Sequence, residues 1–301
     1  MTTRLPLRLF ASALLAALAG CAGHGPTTTS ISCDRACLKG QIDNYLAALL
    51  AHDPGRLHLA ANARFTEDTT EKKLGDSPLW HDATALRPFR QDYLDVRTGT
   101  AAAHVALEES GNPVLLALRL KVVGGKLAEI ETITVHNQLE GMLFAPENLK
   151  APSAAMNYVP TAAERNTRDD MVAIASGYPS GLKIGSFPKA GAKIAANAYR
   201  FENGMRMAGP GCTFQPPSCE NMLQQRIPTL SGIVWRLVAV DEEMGLVLFR
   251  LDFGPGSLMG ANAKTHTLHA WEAFKVYGGE IHAAEAVMRG MPAGTPSGWD
   301  P

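Results

Sequence analysis

Three stretches of this 301-residue chain recur later in it in the same order, so the chain must fold as two copies of one unit. Gln41–Leu49 sits against Ile174–Leu182, sharing a tyrosine (Tyr45, Tyr178) and a leucine. Leu59-Ala60-Ala61-Asn62-Ala63 followed by Glu67 matches Ile194-Ala195-Ala196-Asn197-Ala198 followed by Glu202. Leu120-Lys121-Val122-Val123-Gly124-Gly125 matches Phe274-Lys275-Val276-Tyr277-Gly278-Gly279, and Glu131 falls where Glu285 does. The spacing grows by about twenty residues between the second and third matches, which places an insertion around Cys212 and Cys219. With 46% hydrophobic residues, each copy of about 130 residues can bury a core of its own.

Each copy reads as helices first and a meander of strands after. The stripe Leu38, Ile42, Tyr45, Leu46, Leu49 predicts a helix from about Asp34 to Ala51. Met171, Ile174, Ala175 and Tyr178 predict its counterpart, capped by Asn166 or Thr167. Strands are predicted at Ala101–Leu107, Val114–Val123 and Leu127–Val135 in the first copy. The second copy has them at Ile233–Val240, Leu246–Phe253, Leu268–Tyr277 and Ile281–Met288. The expected class is α+β, with a bent antiparallel sheet in each domain. The expected divisions are a leader at 1–20, a tether at 21–32, a first domain at 33–150, a linker at 151–162 and a second domain at 163–301.

The N-terminus carries Arg4 and Arg8, an apolar run from Leu9 to Ala19, then small residues, the order of an export signal. Leu18-Ala19-Gly20-Cys21 resembles the bacterial lipobox, which implies lipidation of Cys21 as the mature first residue. In that resemblance Ala22 after the cysteine implies the outer membrane, with the protein facing the periplasm. Four cysteines remain, an even number in an oxidising compartment, and local pairing of Cys33 with Cys37 and Cys212 with Cys219 is expected among three connectivities. Lys plus Arg is 28 against 29 Asp plus Glu, with no basic cluster beyond the leader, so nucleic acid is not an expected partner. Membrane contact is expected through the lipid anchor alone.

The order of elements and the closing Gly-Gly hairpin resemble the cone-shaped nuclear-transport-factor-two-like superfamily, which includes ketosteroid isomerase and the SnoaL-like polyketide cyclases. Glu202-Asn203-Gly204, Cys219-Glu220, Val240-Asp241-Glu242-Glu243 and Ser297-Gly298-Trp299 are similar to those of an uncharacterised group of secreted bacterial and fungal proteins of that fold. The resemblance implies two tandem cones, each a bent sheet wrapped around its N-terminal helices, and one pocket per domain. It implies no settled reaction, because the superfamily holds binding proteins as well as enzymes.

If Gly278-Gly279 is a two-residue turn, Tyr277 pairs with Glu280, Lys275 with His282 and Glu272 with Glu285. Two opposed carboxylates on an apolar face would share a proton or take a counter-cation, which suits a general acid or base. Two structural alternatives stand beside this. A change of one residue in the pairing would turn one Glu to the opposite face, and Arg236 or Arg250 could neutralise the pair. Tyr178 and Tyr45 lie where the superfamily's isomerases place a proton-donating tyrosine, or are core tyrosines with satisfied hydroxyls. Glu202 and Phe274 are expected ligand contacts, with Glu202 alternatively capping a turn. His266 and His269 point to opposite faces of a strand, and no H-E-x-x-H or C-x-x-C element suggests a metal or other cofactor. Arg250 and Asp252 read as a solvated face. Two functions follow as expectations: an envelope lipoprotein that binds a small apolar oxygenated molecule or an envelope partner, or a cofactor-free acid/base enzyme of isomerase, dehydratase or cyclase type using the glutamate pair.

Overall fold

A computed structural model describes residues 1–2, 33–213, 219–254, 257, 265–296 and 298–299. Apart from the first two positions, the segments expected to be leader and tether, with Cys21, lie outside the described residues.

The first helix, α1 (Arg35–Leu50), starts where the Asp34 carboxylate accepts the backbone N–H of Cys37 at 2.9 Å, and it buries the apolar stripe read from the sequence. Then come β1 (Leu59–Glu67), β2 (Thr70–Glu71), a short α2 (Pro78–Asp82), β3 (Ala83–Asp95), β4 (Thr100–Glu109), β5 (Asn112–Val123) and β6 (Lys126–Val135). Two one-turn helices, α3 (Gln138–Gly141) and α4 (Ala154–Asn157), lead to the second copy. That copy opens with α5 (Arg168–Ile184), capped by Thr167 and ended by Gly185 at φ +74°, a left-handed position that favours glycine. Its strands are β7 (Ile194–Glu202), β8 (Met205–Ala208), β9 (Val234–Asp241), β10 (Leu246–Asp252), β11 (His266–Tyr277) and β12 (Glu280–Pro292).

The duplication is visible in the topology. Two six-stranded sheets run β2-β1-β6-β5-β4-β3 and β8-β7-β12-β11-β10-β9, the same order twice. The class is α+β, but neither sheet is purely antiparallel: β1 runs parallel to β6 and β7 parallel to β12, so both sheets are mixed. Strand β3 was not foreseen, because two register shifts and the Arg87-Pro88 step break its alternation.

Both closing hairpins turn on two glycines with positive φ, as a two-residue loop requires. Both then carry a bulge at the same place. In the second copy Tyr277 pairs with Glu280 and Val276 with Ile281, but Lys275 pairs with Ala283, leaving His282 as the extra residue. In the first copy Ala128 is the extra residue. Every later side chain on the returning strand is therefore turned to the other face.

Each sheet packs one face on its own helix, around Leu46, Leu116 and Ile130 in domain one and Ala175, Phe249 and Phe274 in domain two. Their other faces pack on each other through Tyr93, Ala117, Ile133, Leu248, Trp271 and Val287. The layers run helix, sheet, sheet, helix. Reciprocal ion pairs fasten the two domains. Arg35 at the start of α1 holds Asp241 at the end of β9 at 2.6 Å, while Arg168 at the start of α5 holds Asp95 at the end of β3 at 2.6 Å. Each aspartate also accepts a backbone N–H across the boundary, Asp241 from Leu94 and Asp95 from Val240. The arrangement is isologous, like a two-fold dimer written into one chain.

Arg250 is buried rather than solvated, correcting the expectation for it. It approaches Glu131, which also contacts Arg236 at 2.8 Å and Arg119 at 3.4 Å, in a cluster formed by both domains. The segment between the domains is packed, with Met156 buried and the Lys275 ammonium donating to the carbonyls of Met156, Tyr158 and Met244. Disulfides join Cys33 to Cys37 and Cys212 to Cys219, consistent with an extracytoplasmic protein. Among the described residues no helix is long and apolar enough to cross a membrane.

Candidate functional site

A cavity of about 1350 Å³ opens on the helix-side face of the second sheet, lined by residues of α5, of that sheet and of domain one. Leu182, Phe253, Leu268, Ala270 and Met288 give it an apolar lining. Polar side chains interrupt that lining, and among them Tyr178 from α5, Arg200 and Glu202 from β7, and Glu272 from β11 form one connected group. Alternation along β7 puts Arg200 and Glu202 on one face, two residues apart.

The Arg200 guanidinium donates to the Tyr178 hydroxyl at 3.1 Å and pairs with Glu202 at 2.8 Å. Tyr178 stacks on Phe187 and tilts against Phe274, both with centroids 5.0 Å away, which fixes its ring. Glu272 is 2% exposed, and its Oε1 has no hydrogen-bond partner among the described residues. Burial first, and the Glu202 charge second, push its pKa up to about 8, against the opposing pull of Arg200 and Tyr178. Glu272 is therefore mostly a neutral carboxylic acid at pH 7. Burial also raises the Tyr178 hydroxyl well above its ordinary value. This group thus presents two un-ionised O–H groups beside a paired Arg–Glu couple.

Glu285 is not part of this site. The bulge at His282 sets Glu285 opposite Ala273, not opposite Glu272, so the two glutamates point to opposite faces. Glu285 lies on the face turned to domain one, where the Tyr199 hydroxyl donates to it at 2.9 Å and burial raises its pKa. Phe274 shares the face of Glu272 but packs beneath Tyr178 and Phe249 in the core instead of lining the cavity. Glu202 reaches the cavity. His266 lines the cavity, while His269 is fully buried on the other face, 3.0 Å from an Arg250 nitrogen. Among the described residues no group of His, Cys, Asp and Glu is arranged to hold a metal ion.

The same positions in domain one carry different chemistry. Phe65 stands where Arg200 does, and Leu118 where Glu272 does. Tyr45 packs edge-on against Trp80 with centroids 5.5 Å apart, and Glu67, the counterpart of Glu202, is held by Ser77 at 2.6 Å and Lys72 at 3.2 Å. These swaps make domain one's inner face an apolar core. Sequence reasoning missed Arg200 and Gln225, a buried cavity residue whose amide donates to the Met207 carbonyl at 2.8 Å. The signal for Arg200 was the difference between the copies, Arg200 for Phe65, inside their best-matched strand.

A family described as a domain of unknown function (DUF8021) matches residues 164–288, a segment that holds Tyr178, Arg200, Glu202 and Glu272. No curated protein matches the chain. Among solved structures, the crystal structure of an IdmH 96-104 loop truncation variant is similar at 18% identity and a TM-score of 0.25, over 32% of this chain and 91% of that one.

Proposed function

We propose that domain two binds a small, largely apolar molecule carrying a neutral oxygen, with that oxygen accepting from Glu272 and Tyr178. The observation that carries this reading is the buried Glu272 carboxyl, unpartnered at Oε1 and facing an apolar cavity. A bound carbonyl or hydroxyl oxygen would satisfy it. In this reading each domain is a cone of the SnoaL-like kind, and the chain works as a lipoprotein anchored at Cys21 in the cell envelope, facing the periplasm from the outer membrane. The cavity needs no cofactor for such binding.

The test is extraction of the purified full chain followed by mass spectrometry. The expected result is a retained apolar molecule with a carbonyl or hydroxyl group, lost from the cavity-filling variant Leu268→Trp. A wild-type chain that retains nothing and binds no neutral ketone probe overturns the reading.

A second reading is supported by the elevated pKa of Glu272 itself, since a carboxyl titrating near neutrality suits proton transfer at a carbon beside a bound carbonyl. There Glu272 would move the proton and Tyr178 would stabilise the developing oxyanion. It predicts that a bound ketone exchanges its α-hydrogens with solvent deuterium in the wild type and not in Glu272→Gln. Equal exchange in both would exclude it.

A further inference from the structure

Part of the wall of this cavity comes from the other domain. Met142 and Leu143 follow β6 and α3 of domain one, yet both line the cavity and pack against the core of domain two. They are held there by one side chain. Asn203 is fully buried and its amide donates to the carbonyls of Gly141 (3.3 Å), Leu143 (3.0 Å) and Met288 (2.7 Å), while its Oδ1 accepts the N–H of Met288 at 2.9 Å. Its backbone carbonyl accepts the N–H of Ala145 at 2.9 Å.

The fit leaves no slack. A Cβ on Gly141 would meet the Asn203 amide at 2.4 Å and Val135 at 2.8 Å, and a Cβ on Gly204 would meet the Ala145 carbonyl at 2.2 Å. Met142 itself sits at φ +60°, a conformation that a non-glycine residue keeps only when its surroundings impose it. Asn203 follows Glu202 directly, so one turn fixes both a polar group of the site and the wall contributed by domain one.

We infer that Met142 and Leu143 of domain one determine the size of the molecule that domain two accepts, with Asn203 as the positioning residue that holds them. This rests on the binding reading above. It gives the first domain, whose own inner face is an apolar core, a direct part in recognition.

The test uses the full chain and two neutral ketone probes with the same aromatic head, prodan with a propionyl chain and laurdan with a dodecanoyl chain. The readout is the ratio of their affinities, which loss of stability alone would not move. Met142→Ala should shift the ratio toward laurdan by at least about fourfold, the value of one further buried methylene. Leu143→Phe should shift it the other way. Asn203→Asp keeps the acceptor but loses the two N–H donors that the three carbonyls share, and should change the ratio although both wall residues are intact. If the wild type binds the probes and all three variants leave the ratio within twofold, the inference falls and the binding reading stands. If the wild type binds neither probe, both fall.

Discussion

Replacing Glu272 by glutamine should make the protein more stable, and by an amount that grows with pH. A carboxyl with a higher pKa in the fold than in the unfolded chain binds its proton more tightly when folded. The fold therefore loses stability as pH rises through the window between the two values. For Glu272 that window runs from 4.5 to about 8. At about 1.4 kcal/mol per pH unit, the wild type should lose roughly 3 kcal/mol relative to Glu272→Gln between pH 5 and pH 7. The difference should level off above pH 8, once the carboxylate is ionised in both states. Burial of Glu67 and Glu285 also raises their pKa values, but both residues are present in both proteins and cancel in the comparison. The assay is urea unfolding of the two proteins at half-unit pH intervals. Parallel stability curves from pH 5 to pH 9 would refute the reasoning, because they would mean that Glu272 ionises as easily in the fold as in water.

Glu131→Ala should cost about 3 kcal/mol in urea unfolding, because it removes the buried carboxylate that Arg119, Arg236 and Arg250 all face; a loss under about 1 kcal/mol would count against this. Asp241→Asn should destabilise the boundary by weakening its bonds to Arg35 and the Leu94 N–H, and Asp95→Asn should do the same through Arg168 and Val240; unequal responses would contradict the reciprocal clasp. The Asp95 carboxyl is held below its ordinary pKa against burial, chiefly by its bond to Arg168. Its contribution should therefore be present above about pH 4 and fade as the solution is acidified. Each disulfide closes a short loop, so replacing either pair with serine should cost about 2 kcal/mol, measured by the same unfolding assay.

Much of the fold was legible because its signals are local. The stripe from Leu38 to Leu49, the Gly-Gly turns and the alternation in β4 to β6 and β9 to β12 each follow from the chain's own period. The repeat supplied what no single element could, the expectation of two like units. What escaped has tertiary causes. The extra residue at His282 lies within a run that alternates plausibly either way, and it alone decides that Glu285 faces domain one while Glu272 faces the cavity. Arg200 was hidden because the copies were compared where they agree, at Asn197 and Ala198, when the informative position was the one where they differ. Asp241 stood out in the sequence without a role, since its partners, Arg35 and the Leu94 N–H, are distant in the chain. The wall formed by Met142 and Leu143 could not be read at all, because it depends on a crossing between domains.

Un-ionised Glu272 is proposed to donate to a neutral oxygen inside the cavity of domain two. The most direct measurement is the affinity of the full chain for prodan from pH 6 to pH 10, in the wild type and in Glu272→Gln. Wild-type affinity should be nearly constant below about pH 7 and fall toward tenfold per pH unit above pH 8, with no such fall in the glutamine variant. A wild-type affinity that stays flat across this range, or a fall that persists unchanged in Glu272→Gln, would contradict it.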